Sequence, residues 1–413
     1  MQLVRNLEIS LRVFLGIILC ASAFNMSAAE PSKPSLGWRG DGSGRFAEAQ
    51  PPIEWDGESG KNIVWKTKVG VSKFSSPVFV QGKLFIVSEP AQLVCLDAET
   101  GTMVWERTNG WADLPSPPTP KQPRGDQGNT TPTPVSDGRF VYAAFGSGIV
   151  ACYDLDGVRK WIRYVDAPPG LDFGRSASPA LLGGRLLVSM HHLFALESET
   201  GKVAWQNESA TERYGTPVAA RIGGVDIVAT PSGHIARLSD GSLLFAAAEL
   251  TYASPIMSDG VAYYIGTAAS AVSFSRAGES LVAKSVWKAE LDGSYFASPV
   301  CDRGLIYTVS NEGVFLILKA ADGKTVATRE LDIGSASGRP GLPNANLYPS
   351  LALAGNYVFL SNDIGDTLVL EPGAGYKEIK RNNLGEGFSG APVFAGKRMY
   401  VRAKERVYCI GTK

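Results

Sequence analysis

Ser76-Pro77-Val78, then Gly82-Lys83-Leu84-Phe85-Ile86-Val87, then Leu93-Val94-Cys95-Leu96-Asp97-Ala98-Glu99-Thr100-Gly101, then Met103-Val104-Trp105 read as four short strands joined by tight turns. The runs are short and apolar, and Gly, Asp and Thr fall between them, where turns need positive φ or a side chain that bonds turn amides. One such antiparallel sheet has two apolar faces and cannot bury both alone.

The unit recurs. Pro77, Pro134, Pro179, Pro217, Pro255, Pro299, Pro349 and Pro392 each open a short apolar strand, at intervals of 38 to 57 residues. A period of that size marks stacked repeats, and radial stacking of four-stranded sheets is a β-propeller. The fold class is therefore all-β, an eight-bladed propeller of four-stranded antiparallel blades. Seven blades is the alternative, if the weaker fourth or fifth unit is not a full blade. The eighth unit ends with Val407-Tyr408-Cys409-Ile410 and has no fourth strand after it, while Asn62-Ile63-Val64-Trp65-Lys66 carries that pattern ahead of the first unit. Pairing the two would close the ring and remove its exposed sheet edges.

Tryptophan follows the turn glycine by four residues at Trp105, Trp161 and Trp205, and Trp287 closes the fifth unit less regularly. The sixth unit has Ala327 at that place, and the fourth has also lost the indole. A residue repeated once per blade reads as a packing residue. Cys95, Cys152 and Cys409 share one place in the third strand and Cys301 sits in an innermost one, which suggests small buried thiols rather than a disulfide framework.

With 413 residues, 44% hydrophobic, and 46 glycines, the composition is that of an ordered chain rich in turns. The 40 basic and 40 acidic residues are interspersed, so no nucleic acid or anionic membrane surface is expected as the main partner. Residues 1–29 have Arg5 and Arg12 ahead of the apolar run Val13 to Ala21 and the small residues Ser27-Ala28-Ala29 before Glu30, the pattern of a secretory signal. The run is too short to span a bilayer, so no transmembrane segment is expected. Leu19 is large where a lipid-attachment motif needs a small residue before Cys20, which argues against an anchor. Residues 30–61 form an N-terminal extension, and 62–413 the propeller. Two insertions, Arg107 to Thr131 and Gly334 to Leu347, are rich in proline and glycine and read as loops.

The repeat of Ser-Pro, Gly-x-Leu-Phe, Leu-Asp-x-x-Thr-Gly and Trp resembles the PQQ-type propeller repeat of quinoprotein alcohol dehydrogenases and of the propeller lipoprotein of the outer-membrane β-barrel assembly machinery. Trp38-Arg39-Gly40, the stretch Val150 to Gly157 and the ending from Asn383-Leu384-Gly385 to Tyr408-Cys409-Ile410-Gly411 are similar to secreted bacterial PQQ-like propellers. The resemblance implies a rigid exported platform working through surface loops. It equally raises a calcium- and PQQ-dependent dehydrogenase, whose cofactor needs acidic and amide ligands and often a bridge between adjacent cysteines. No two cysteines here are adjacent.

Other chemistry has thin support. Neighbouring strand residues point to opposite faces, so His191 and His192 are expected to converge poorly on one metal. Gly385-Glu386-Gly387-Phe388-Ser389-Gly390 leads into a strand instead of opening a helix, which removes the dinucleotide reading. Asn362-Asp363-Ile364-Gly365-Asp366 reads as a hairpin loop.

Three residues before each repeat proline the chain should reach the mouth of the central channel. Those residues are Phe74, Thr131, Ser176, Tyr214, Tyr252, Phe296, Asn346 and Ser389, with Arg175, Arg213, Tyr295 and Phe388 beside them. The aromatics either plug the channel as core or form a recognition patch for a peptide or glycan. The expectation is a non-enzymatic exported scaffold without cofactor that binds protein in the cell envelope, through a ligand patch of Phe74, Arg175, Arg213, Tyr214, Tyr252, Tyr295, Phe296, Asn346 and Phe388. A quinoprotein-type enzyme and an extracellular glycan-binding module are the alternatives.

Overall fold

The structure, a computed structural model, describes residues 36–116, 128–165, 174–334 and 345–412, apart from Glu212 and Glu279. Residues 1–29, where a secretory signal is expected, much of both insertions and the first residues of the extension lie outside them. Among the described residues no helix is long and apolar enough to cross a membrane.

Eight sheets succeed one another along the chain. The first contains Val78–Val80, Lys83–Ser88, Gln92–Asp97 and Met103–Thr108, the four strands expected for the best-kept unit. The fourth unit, Val218 to Ala246, and the fifth, Ile256 to Glu290, are each full four-stranded sheets, which settles the number of blades at eight. Blade 8 closes as expected: Ile63–Lys68 pairs antiparallel with Arg406–Ile410, placing Trp65 opposite Cys409.

Hydrophobic clusters form where the face of one blade meets the next. Phe85, Val87 and Cys95 of blade 1, for example, pack with Val141, Ala143 and Tyr153 of blade 2. Tryptophans tie the outer strands across the same boundaries. Each donates its indole N–H to the next blade's turn: Trp65 to the Ala98 carbonyl at 3.2 Å, Trp105 to Leu155 at 3.1 Å, Trp161 to Ser198 at 2.9 Å, Trp205 to Leu238 at 2.8 Å and Trp287 to Ala320 at 2.8 Å. Within its own sheet each indole faces a small residue: Cys95 opposite Trp105, Cys152 opposite Trp161, Ala195 opposite Trp205. The repeated cysteine is thus a side chain small enough to share a layer with an indole. All four described cysteines are free and buried.

Blade 4 has no tryptophan and is held differently. The third and fourth strands of blade 5 lengthen into a hairpin, Ala268–Ala277 and Ser280–Glu290, whose Phe274, Leu281 and Ala283 pack with Ile222, Val225, Leu244 and Phe245 of blade 4.

The extension enters the channel. Leu36 exchanges backbone hydrogen bonds with Ser136 of blade 2 at 2.9 and 2.7 Å, and Arg45–Phe46 adds a fifth, parallel strand against Ala352–Ala354 of blade 7. A two-residue strand has no sequence periodicity to announce it.

Candidate functional site: an aromatic cup at the channel mouth

The repeat prolines hold their preceding residues extended, which turns the N–H of each preceding residue toward the neighbouring blade. A chain of hydroxyls receives them. The Ser76 N–H donates to Thr133 Oγ1 at 2.9 Å, Thr133 to Ser178 Oγ at 2.9 Å and Ser178 to Thr216 Oγ1 at 3.0 Å. It continues from Thr216 to Ser254 Oγ at 2.7 Å, Ser254 to Ser298 Oγ at 2.9 Å and Ser298 to Ser350 Oγ at 3.0 Å. Six links therefore stitch blades 1 to 7 at one level, each satisfying an N–H that burial would otherwise leave costly. Blade 8 has Ala391 at this level and contributes no hydroxyl.

Blade 7 shifts the count. Its hydroxyl, Ser350, follows Pro349, whereas elsewhere the hydroxyl precedes the proline. The seventh residue at the mouth is consequently Tyr348, two before the hydroxyl, and not Asn346. The Asn346 side chain is instead bound to Asp363 at 3.1 Å and to Asn311 at 3.4 Å. Asn346 lies three residues before Pro349 yet away from the mouth, because Ser350 and not the proline fixes the level of the inter-blade bond.

With that correction, the eight mouth residues Phe74, Thr131, Ser176, Tyr214, Tyr252, Phe296, Tyr348 and Ser389 all line one cavity of about 320 Å³. Five are aromatic and touch in sequence: Tyr214 stacks on Tyr252 at 5.4 Å, Tyr252 meets Phe296 edge-on at 4.5 Å, Phe296 stacks on Tyr348 at 5.3 Å, and Tyr348 meets Phe74 edge-on at 5.4 Å. Thr131 and Ser176 leave the remaining wall polar. Serine and threonine hydroxyls of the stitching level and the Trp38 ring also line the cavity, and Lys73 adds a cation.

Trp38 is positioned by a tight turn in the extension, closed by hydrogen bonds between Gly37 and Gly40 at 2.7 and 3.0 Å. Beside it Arg39 is fully buried, and its Nη2 donates to the carbonyls of Pro299 at 2.6 Å and Leu351 at 2.8 Å. Burial lowers its guanidinium to about 9, with Asp41 opposing the shift. Gly44 is required where it is: a Cβ there would lie 2.1 Å from Arg39 Nη2, and φ is +75°.

Of the expected ligand patch, Phe74, Tyr214, Tyr252 and Phe296 meet at the cup, where the other expected mouth residues Thr131, Ser176 and Ser389 join them, and Asn346, Arg175, Arg213, Tyr295 and Phe388 lie outside its lining. Tyr295 is buried between blades 5 and 6, its hydroxyl donating to the Asp292 carbonyl at 3.0 Å. Phe388 is buried in the core of blades 7 and 8 with Trp55 and Phe359. Arg175 is buried outside the cavity lining, and Arg213 is engaged by Glu249. Tyr348, Lys73 and Trp38 were missed as site residues, although Lys73 directly precedes Phe74.

The histidines also differ from expectation. His191 has φ +82° and sits at the turn between two strands, so the His191 and His192 rings lie 4.2 Å apart rather than on opposite faces. No group of three metal-binding side chains occurs among the described residues. Asn362 to Asp366 form the hairpin loop expected of them, with the Asn362 amide oxygen accepting the Asp366 N–H at 2.9 Å.

Residues 55–329 match the protein family described as outer membrane protein assembly factor BamB. The chain belongs to this family of PQQ-like propellers. BamB from Moraxella catarrhalis superposes with a TM-score of 0.58 at 12% identity, over 84% of this chain and 98% of that one. Quinohemoprotein alcohol dehydrogenase ADHIIG from Pseudomonas putida HK5 gives 0.57 at 11% identity, over 88% and 78%. The computationally designed Ika8 protein gives 0.56 at 10% identity, over 85% and 100%. At such identities the likeness is one of fold. Comparison with curated proteins gives no match.

The fold's link to quinoproteins asks whether PQQ and calcium suit this member. Among the described residues that line the cup there is one cation, Lys73, and no carboxylate or carboxamide side chain. Calcium takes six to eight oxygen ligands, chiefly carboxylates and carbonyls. The residues at this mouth do not fit that group.

Proposed function

We propose that this BamB-like chain is an exported, non-enzymatic scaffold of the cell envelope that holds a protein partner by seating one of its side chains or a short loop in the aromatic cup. What carries this reading is the arc from Tyr214 to Phe74: rigid rings, stacked on one another and part of a concave wall, with hydroxyls opposite. Aromatic residues with few rotatable bonds supply contact area at low entropic cost and dominate binding hot spots. The leader-like residues 1–29 and the family support the envelope location. The same mixture of rings and hydroxyls is what favours the glycan-binding alternative.

Photo-crosslinking in the native envelope tests the proposal. A benzophenone amino acid replacing Phe296 is expected to give a discrete protein adduct, and the same group replacing Val203 on the outer strand of blade 3 is expected to give none. Equal adducts from both positions, specific retention on a glycan array, or a thermal shift on adding PQQ with calcium would overturn it.

A further inference from the structure

At the face opposite the cup, a cleft of about 380 Å³ opens between blades 3 and 4, lined by Arg185, Arg237, Ser239, Asp226, Gly183 and Gly224 among others. The repeats differ in charge there. In blades 8, 1 and 3 the residue that opens the second strand is a cation, namely Arg398, Lys83 and Arg185, each closing its hairpin from the same register position. Its counterpart in the next blade is the residue after the carbonyl that receives the tryptophan N–H. For Arg398 that is Glu99, at 3.1 Å, and for Lys83 it is Asp156, at 2.8 Å. For Arg185 it is Ser239, because Trp205 donates to Leu238.

A second acid has also gone. Asp97 of blade 1, whose carboxylate accepts the turn amides of Glu99 and Thr100, is replaced at the equivalent place in blade 4 by Arg237. One turn thereby exchanges the two carboxylates of blade 1 for a hydroxyl and a guanidinium, and carries a single acid, Asp240, where blade 1 has Thr100. Neither Arg185 nor Arg237 has a hydrogen bond or ion pair from its guanidinium among the described residues, and the Nε of each is enclosed without a partner. Buried donors without partners call for an explanation. The carboxylates nearby are engaged: Asp226 takes a bidentate bond from Arg221 at 2.6 and 2.8 Å, Glu197, opposite Arg185 in the ladder, accepts from Thr200 at 2.8 Å, and Asp240 accepts from Ser242 at 2.7 and 2.9 Å while feeling the Arg237 charge without bonding to it.

We infer that this cleft is an oxyanion-binding site, in which the guanidiniums of Arg185 and Arg237 and the Ser239 hydroxyl hold a phosphate or carboxylate group that takes the place of the lost turn acid. Guanidinium forks match such groups bidentately, and charge-assisted bonds of this kind are the strong ones. The site is separate from the cup and stands whether or not the cup binds protein.

The test titrates the full chain with inorganic phosphate and, separately, with acetate, following melting temperature and calorimetric heat against sodium chloride at equal ionic strength. A saturable response to either anion is expected; the tighter one distinguishes a phosphate-bearing ligand from a carboxylate. The double variant R185Q/R237Q should weaken binding at least tenfold. Ser239→Glu supplies the acid from within the chain, so it should abolish the anion response while raising the melting temperature. A response no greater than that of chloride, or one retained in R185Q/R237Q or in Ser239→Glu, overturns the inference.

Discussion

Trp105 lies on Gly157 of the next blade, so close that a Cβ at Gly157 would stand 2.8 Å from the indole ring. The glycine also has φ +83°, a conformation an L side chain adopts only with strain. Gly157→Ala therefore meets two penalties at once. Positive φ costs about 1–2 kcal/mol, and displacing the indole from its seat and its bond to Leu155 adds a similar amount. A fall in stability of about 2–4 kcal/mol is expected from denaturant unfolding, against about 1–2 kcal/mol for Gly184→Ala, which shares the positive φ at +73° but where a Cβ would have nothing within 4 Å, so the difference between the two reports the indole contact.

The stitching hydroxyls give a second test. Ser254→Ala strands the buried Thr216 N–H, which now donates at 2.7 Å. The expected loss is about 1–3 kcal/mol, and Ser254→Thr, which keeps the oxygen, should recover much of it. If alanine and threonine variants melt together, the hydroxyl chain does not hold the blades.

Buried thiols make the protein sensitive to alkali. Burial raises Cys95, Cys152 and Cys409 from an ordinary 9.0 to about 12. Between these values the unfolded chain has released the proton and the folded one has not, so their contribution is complete below pH 9 and is lost as pH rises toward 12. Denaturation midpoints should fall over that interval, and a Cys95→Ala variant should fall less steeply. At neutral pH the four thiols of the described residues should resist thiol reagents in the native protein and react only on unfolding.

The parts of this molecule legible in its sequence are those that recur. Turn glycines and tryptophans repeat because each boundary between blades poses the same packing problem, and Asn62 to Lys66 could be assigned to blade 8 because it carried a fourth-strand pattern with no strand to join. What could not be read depends on single events. Tyr348 was lost because Pro349 precedes its hydroxyl, a local change of order that a proline count cannot register. Arg45–Phe46 is too short for periodicity, and Trp38 reaches the cup through a turn anchored by Arg39, whose partners Pro299 and Leu351 are some three hundred residues away. His191 was read as a strand residue, and its positive φ brings it beside His192.

The cup's rings should matter more for binding than for folding. Tyr252 is 37% exposed and contacts only other rings of the wall in its aromatic pairs. Tyr252→Ala should change stability by no more than about 1 kcal/mol, in contrast to Tyr264→Ala in the core, where a fully buried ring is removed at a cost of about 3–5 kcal/mol.

The most direct measurement is the affinity, by calorimetry, of the partner captured at Phe296 for the wild type and for a Tyr252→Ser, Phe296→Ser double variant with unchanged melting. Loss of two hot-spot rings should weaken binding by about 2 kcal/mol or more, roughly thirtyfold. An unchanged affinity in the folded variant would contradict the cup as the seat of the partner.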